Sequence, residues 1–182
     1  MTNLIPNNDE LLQCFDDQRN SIEGHLRIDV KTKPHRWWCG VSNIWLVNSE
    51  GQLLCSKRSD ALFGSPGKWQ SYVGGHVPFG LSFEETASKE LMEEVGLSVS
   101  LEELFLVEEG VYEENKQFYK SFAVLCNRDS SDFVFPDGEI VAVKWMKMDE
   151  YWNEKEQNPE AWCHRCLPHH QKMILDWLAS CK

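Results

Sequence analysis

The chain has 182 residues, 42% hydrophobic and 12% aromatic, which suits one folded domain with a core able to stand alone and argues against disorder. A net charge of −11 repels nucleic acid and anionic membranes at long range, so neither is an expected partner. The same charge makes an anionic substrate awkward unless a bound cation or a local basic patch inverts the field.

Residues 1–10 are polar and are expected to be a loose end of a single domain spanning 1–182, with its core over 11–178. The start, Met1-Thr2-Asn3-Leu4-Ile5-Pro6, has no basic region or apolar core of a signal peptide. No apolar run approaches the roughly 20 residues of a membrane span. The seven cysteines follow no regular framework and suit a reducing cytosol, so a cytoplasmic location is expected.

In chain order, Leu11 to Phe15 and Ser21 to Gly24 predict a short N-terminal hairpin around Asp16–Asn20. His25 to His35 is a lead-in to an apolar run, Trp38 to Val47, and Asn48-Ser49-Glu50-Gly51 turns that run into Gln52 to Arg58. Ser65 to Lys68 is a loop, and Trp69 to Val73 is a short strand delivering the chain to Gly74 and Gly75. Those glycines read as a turn opening into an amphipathic helix. Ser82 and Glu85 make a capping box, and Gly96 suits the left-handed position past the helix end. Beyond it, Leu101 to Tyr112, Lys116 to Cys126 and Ile140 to Met146 read as strands, and Asn127 to Pro136 as a polar loop. Asp149 to Gln157 and His169 to Leu178 read as helices. Strands on both sides of a central helix argue a layered α/β domain.

The central helix divides its side chains by face. Phe83, Ala87, Leu91 and Val95 recur every fourth residue and form the apolar stripe. Glu90, Glu93 and Glu94 stand at i, i+3 and i+4 on another face, where they repel each other and oppose the helix dipole. A divalent cation gives that arrangement a reason, because hard cations take several carboxylate oxygens at once. A solvated acidic face is the plainer reading.

The stretch from Gly75 to Leu97 resembles the signature of the Nudix hydrolases: Gly, five residues, Glu, seven residues, Arg-Glu, an aliphatic residue, any residue, Glu-Glu, any residue, Gly, aliphatic. Gly75, Glu90, Leu91, Glu93, Glu94, Gly96 and Leu97 fall on it, whereas Leu81 and Lys89 replace its first acid and its arginine. The resemblance implies a mixed β-sheet between helices and a Mg²⁺- or Mn²⁺-dependent pyrophosphohydrolase. Its metal ligands would be Glu90, Glu93 and Glu94, with a backbone carbonyl of Gly74 or Gly75 and with Glu90 and Glu94 central to catalysis. The order of motifs around the box looks like the branch of isopentenyl diphosphate isomerases and their hydrolase relatives, in which His35 and Arg58 fall on recurring positions. Gly74 stands where the isomerase has its catalytic cysteine, and Leu62 where it has a lysine for the diphosphate.

Glu139 resembles a further catalytic carboxylate, with a turn residue as the alternative. Arg58 and Lys68 are candidate phosphate contacts, with surface ion pairs as the alternative. His76 is either a substrate contact or a half-buried structural histidine, and Trp69 either core or a stacking platform. Cys163, Cys166 and His169 are zinc-compatible in type, but their spacing favours buried small residues and no zinc is expected. The expected activity is hydrolysis of a nucleoside-diphosphate-linked or other small organic diphosphate. The alternative is a poorly active ligand-binding or regulatory protein of the same fold, with isomerisation behind both. The expected partner is that small molecule, with a homodimer through the exposed hairpin.

Overall fold

The computed structural model describes residues 8–163 and 168–181. Its elements run β1 (Leu11–Leu12), β2 (Cys14–Phe15), β3 (His25–Leu26), α1 (Arg27–Lys31), β4 (Trp38–Val47), β5 (Gln52–Arg58), β6 (Trp69–Gln70) and β7 (Val73–His76). Then follow α2 (Phe83–Val95), β8 (Phe105–Tyr112), β9 (Gln117–Leu125), β10 (Ile140–Lys147), α3 (Met148–Gln157) and α4 (Pro168–Ser180).

An eight-stranded mixed sheet is ordered β10-β5-β4-β9-β8, with β2 and β7 pairing β4, and β6 pairing β5. The β4–β9 pair is parallel and its neighbours are antiparallel. Alternation along β4 supplies both faces. Ile44 and Leu46 pack with Ala87, Leu91 and Val95 of α2, while Trp45 and Val47 pack with Tyr151 of α3 and with Ile174 and Leu178 of α4. Burial of a residue such as Leu91, which has no exposure, is worth about 1.5–3 kcal/mol. The result is an α/β fold with a mixed sheet flanked by helices and a short N-terminal hairpin, as the sequence predicts.

The hairpin of β4 and β5 pairs in one register position, Val47 with Leu53, before its strands diverge. β7 then pairs Val41 to Ile44 of β4, and β6 pairs Ser56 and Lys57 of β5. Gly74 and Gly75 therefore lie inside a strand and not in a turn. The turn falls later, where Leu81 N–H bonds the Pro78 carbonyl at 3.1 Å and Gly80 takes a φ of 88°. Three further expectations shift. The expected return holds at Phe15, which bridges Ser21, while Leu11–Leu12 pairs further on with His25–Leu26. The lead-in contains the short helix α1. The strand expected from Leu101 starts at Phe105, after a 3-10 turn over Leu101–Glu103. Among the described residues no helix is long and apolar enough to cross a membrane.

Candidate active site

The caps of α2 set the register in which its carboxylates meet β7. Ser82 Oγ accepts the Glu85 N–H at 3.1 Å, and Glu85 Oε2 accepts the Ser82 N–H at 2.8 Å. At the other end Gly96 is left-handed, with φ 63°. Ala87, Leu91 and Val95 point into the core, and Glu94, next to that stripe, is only 4% exposed. Gly74 N–H donates to Glu94 Oε1 at 3.2 Å. Glu90 lies against Gly75 so closely that a Cβ there would stand 2.6 Å from its carboxylate carbon. At Gly75 the Glu90 carboxylate occupies the space a side chain would take, and an added Cβ would push it aside. At Gly74 the demand comes from the backbone, with φ at 151° and the Ser42 carbonyl carbon 3.0 Å from any added Cβ.

Burial dominates the electrostatics. It pushes Glu90 up to about 7, with Lys89 opposing and Glu93 and Glu139 adding to the rise. Glu94 is raised well above its ordinary value by burial and then by Glu90, Glu139 and Asp137, against the Gly74 N–H. Glu93 is exposed and ion-paired to Lys89 one turn earlier. A turn from a distant part of the chain joins this group: Asp137 N–H bonds the Glu93 carbonyl at 3.3 Å. Burial raises both Asp137 and Glu139, and for Glu139 the charge of Asp137 adds while Arg58 opposes.

A cleft of about 810 Å³ opens beside this group, and Glu94 lies behind its lining. Glu90, Glu93, Asp137 and Glu139 line it together with Gly74, Gly75, His76, Arg58, Arg27 and Lys31. Arg58 donates from Nε to the Gly64 carbonyl at 3.0 Å and from Nη1 to Gln70 Oε1 at 3.3 Å. Lys68 does not line the cleft, and its ammonium lies 3.9 Å from Glu160. His35 is also outside it, bonded through Nδ1 to the Val30 carbonyl at 3.0 Å. Trp69 packs against the core under α3, with the Lys144 ammonium 4.5 Å from its ring centre. Cys163 lines the cleft. Cys166 and the side chain of His169 lie outside the described residues.

Arg27, Lys31, Gln117, Glu10 and Asp137 also line the cleft without any sequence expectation. The one available signal was the i, i+4 spacing of Arg27 and Lys31, which a five-residue helix is too short to reveal as periodicity. As they stand, no three His, Cys, Asp or Glu side chains among the described residues converge on one point able to hold a metal ion. What fits a divalent cation is the donor set: half-buried Glu90 and buried Glu94 stand one turn apart, each with its pKa raised by burial, against the glycines of β7.

The profile described as NUDIX domain matches residues 39–165, well over half the chain. The chain belongs to the Nudix family. Among curated proteins, this Nudix chain is 28% identical over 120 residues to a prenyl-diphosphate phosphatase of Methanosarcina mazei, covering 65% of the chain and 69% of that protein. It is 25% identical over 143 residues to isopentenyl-diphosphate Delta-isomerase 2 of Photorhabdus laumondii, covering 77% and 78%. A crystal structure of a Deinococcus radiodurans protein superposes with a TM-score of 0.69 at 20% identity, covering 94% of this chain and 99% of that one, and so shares the fold.

Proposed function

We propose that this Nudix protein hydrolyses the pyrophosphate linkage of a small organic diphosphate with the help of Mg²⁺ or Mn²⁺. Glu90, Glu93 and Glu94 would hold the ion, joined by a carbonyl of Gly74 or Gly75. The observation that carries this reading is the packing of half-buried Glu90 and buried Glu94 one turn apart against β7. Neighbouring carboxylates withdrawn from water destabilise a fold unless a countercharge meets them, and Lys89, which replaces the arginine of the motif, is engaged with Glu93. A bound divalent ion neutralises phosphoryl oxygens and lowers the pKa of water near it.

The chain's own side chains do the rest. Gly74 N–H orients Glu94, and Gly75 gives Glu90 room. Glu139 lines the cleft with a raised pKa, which makes it a stronger base than an exposed glutamate and suits it to accept a proton from the attacking water. Arg58 offers a planar fork of donors to a phosphate. A relative named as a prenyl-diphosphate phosphatase supports a diphosphate substrate. Isomerisation ranks below hydrolysis because Gly74 stands where the isomerases have their catalytic cysteine.

The Lys89–Glu93 pair favours one second reading, a poorly active binding protein in which Glu93 is withheld from the ion. A panel of diphosphate compounds assayed with Mg²⁺ and with Mn²⁺ separates the two. Release of phosphorylated products supports the hydrolase. Tight binding of one compound with no turnover supports the binding protein, and allylic product from isopentenyl diphosphate overturns both.

A further inference from the structure

We propose that Cys14 and Cys39 are a disulfide site, a place of reversible covalent modification that clips β2 to β4. The proposal goes beyond the hydrolase reading and stands whether or not that reading holds. The two residues are direct partners in the antiparallel pairing of β2 with β4. Direct partners on antiparallel strands carry their side chains on the same face of the sheet. Both side chains enter one small core cluster, with Leu12 and with Val30 of α1. Cys14 has no exposure, Cys39 has 1%, and both thiols are free.

The backbone bonds fix how close the pair stands. Cys39 N–H donates to the Lys116 carbonyl at 3.0 Å, away from β2. The Cys14 carbonyl accepts the Ile22 N–H at 3.0 Å and Gln13 Nε2 at 3.0 Å. Both groups are therefore spent elsewhere, and the pair occupies a non-hydrogen-bonded position of the ladder. At such positions the Cα atoms are about 4.5 Å apart and the side chains stand closest. A disulfide spans Cα separations of roughly 4.4–6.8 Å, so the register alone brings these two sulfurs within bonding reach. Cys55, equally buried, is paired with Lys144 instead.

A small disulfide of the glutathione class is the oxidant this step needs. The Cys39 thiolate attacks one of its sulfurs, which breaks that S–S bond and releases one thiol. The Cys14 thiolate then attacks the Cys39 sulfur of the mixed disulfide and displaces the second thiol. Two cysteine thiols thus lose two electrons and two protons, and the small disulfide takes them up as two thiols. Cys39 is the better first attacker. Burial raises its pKa, but Lys31 and Arg27 oppose that rise, whereas burial pushes the Cys14 thiol up to about 11. Because both are buried, β2 has to lift from β4 before an oxidant reaches either, and β2 is only two residues long. The same burial shields the closed bond from reductants. The ring it closes runs from Cys14 to Cys39 and encloses α1, whose Arg27 and Lys31 line the cleft, so the clip ties one cleft wall to the sheet.

The full chain is unfolded in urea and refolded in a mixture of oxidised and reduced glutathione, so that burial does not block access. Remaining thiols are then alkylated in denaturant, and the digest is mapped by mass spectrometry. The expected result is a linked peptide pair joining Cys14 to Cys39. The oxidised protein should melt roughly 5–10 °C above the reduced one, with the gain removed by dithiothreitol. Cys14→Ala should lose both the link and the gain, and Cys55→Ala should keep both. The peptide map of the parent decides the bonding even where Cys14→Ala folds poorly. Full alkylation of Cys14 and Cys39 after refolding, a link from either to a different cysteine, or a linked protein that melts no higher than the reduced one would each overturn the site.

Discussion

The burial of Glu90 and Glu94 makes the metal-free protein sensitive to pH in a direction opposite to that of an ordinary salt-bridged carboxylate. Both are raised above the unfolded value, near 4.5, and Glu90 reaches about 7. Between those values the folded state binds more protons than the unfolded state, so stability falls as pH rises. The favourable contribution of Glu90 is complete below about 4.5 and is lost as pH climbs through about 7, and Glu94 acts in the same direction. Thermal melts in EDTA should therefore give a higher midpoint near pH 5.5 than near pH 8, and a flat profile or the reverse order would contradict the burial. The two glycines offer a second test. At Gly75 an added methyl meets the free end of Glu90, so Gly75→Ala should keep the fold but push the carboxylate aside, weakening Mn²⁺ binding by about tenfold. Gly74→Ala meets backbone at a positive φ and should lower the melting temperature instead.

At the scale of elements, α2 was the most legible part of the chain. Its capping box, its fourfold apolar spacing and its terminal glycine all lie within one local stretch, and all are present in the structure. The cap is also a control on the site. Ser82→Ala should lower stability by about 1 kcal/mol, read by denaturant melts, and leave Mn²⁺ affinity unchanged. A large loss of Mn²⁺ affinity in that variant would mean the helix end, not the carboxylates, determines binding. The glycine strand was less legible, because Gly74 and Gly75 suggest a turn by composition. Only pairing with β4, a tertiary fact, makes them a strand. α1 left no periodic trace, since five residues are too few to show one.

For the whole molecule, the layered α/β plan followed from the alternation of helix and strand patterns, but the cleft did not. It depends on β4 and β5 parting after one register pair and on a turn at Asp137 meeting the end of α2. The second is a long-range contact that no short window of sequence contains. Among the basic side chains of the cleft lining, Arg27 and Lys31 come from α1 and Arg58 from β5, in a chain of net charge −11. Metal binding at the acidic group should act on the entire fold, since a ligand at one hundred times its Kd adds about 2.7 kcal/mol. For a domain of this size that is roughly 5–10 °C in Tm, seen as a rise when Mn²⁺ is added at pH 8. The most direct test is calorimetric titration of Mn²⁺ into the parent, Glu94→Gln and Glu85→Gln, with circular dichroism confirming that each is folded. The account predicts that Glu94→Gln loses at least about tenfold in affinity, while Glu85→Gln, confined to the helix cap, binds like the parent. Equal Mn²⁺ affinity in Glu94→Gln and the parent would contradict the proposed metal site.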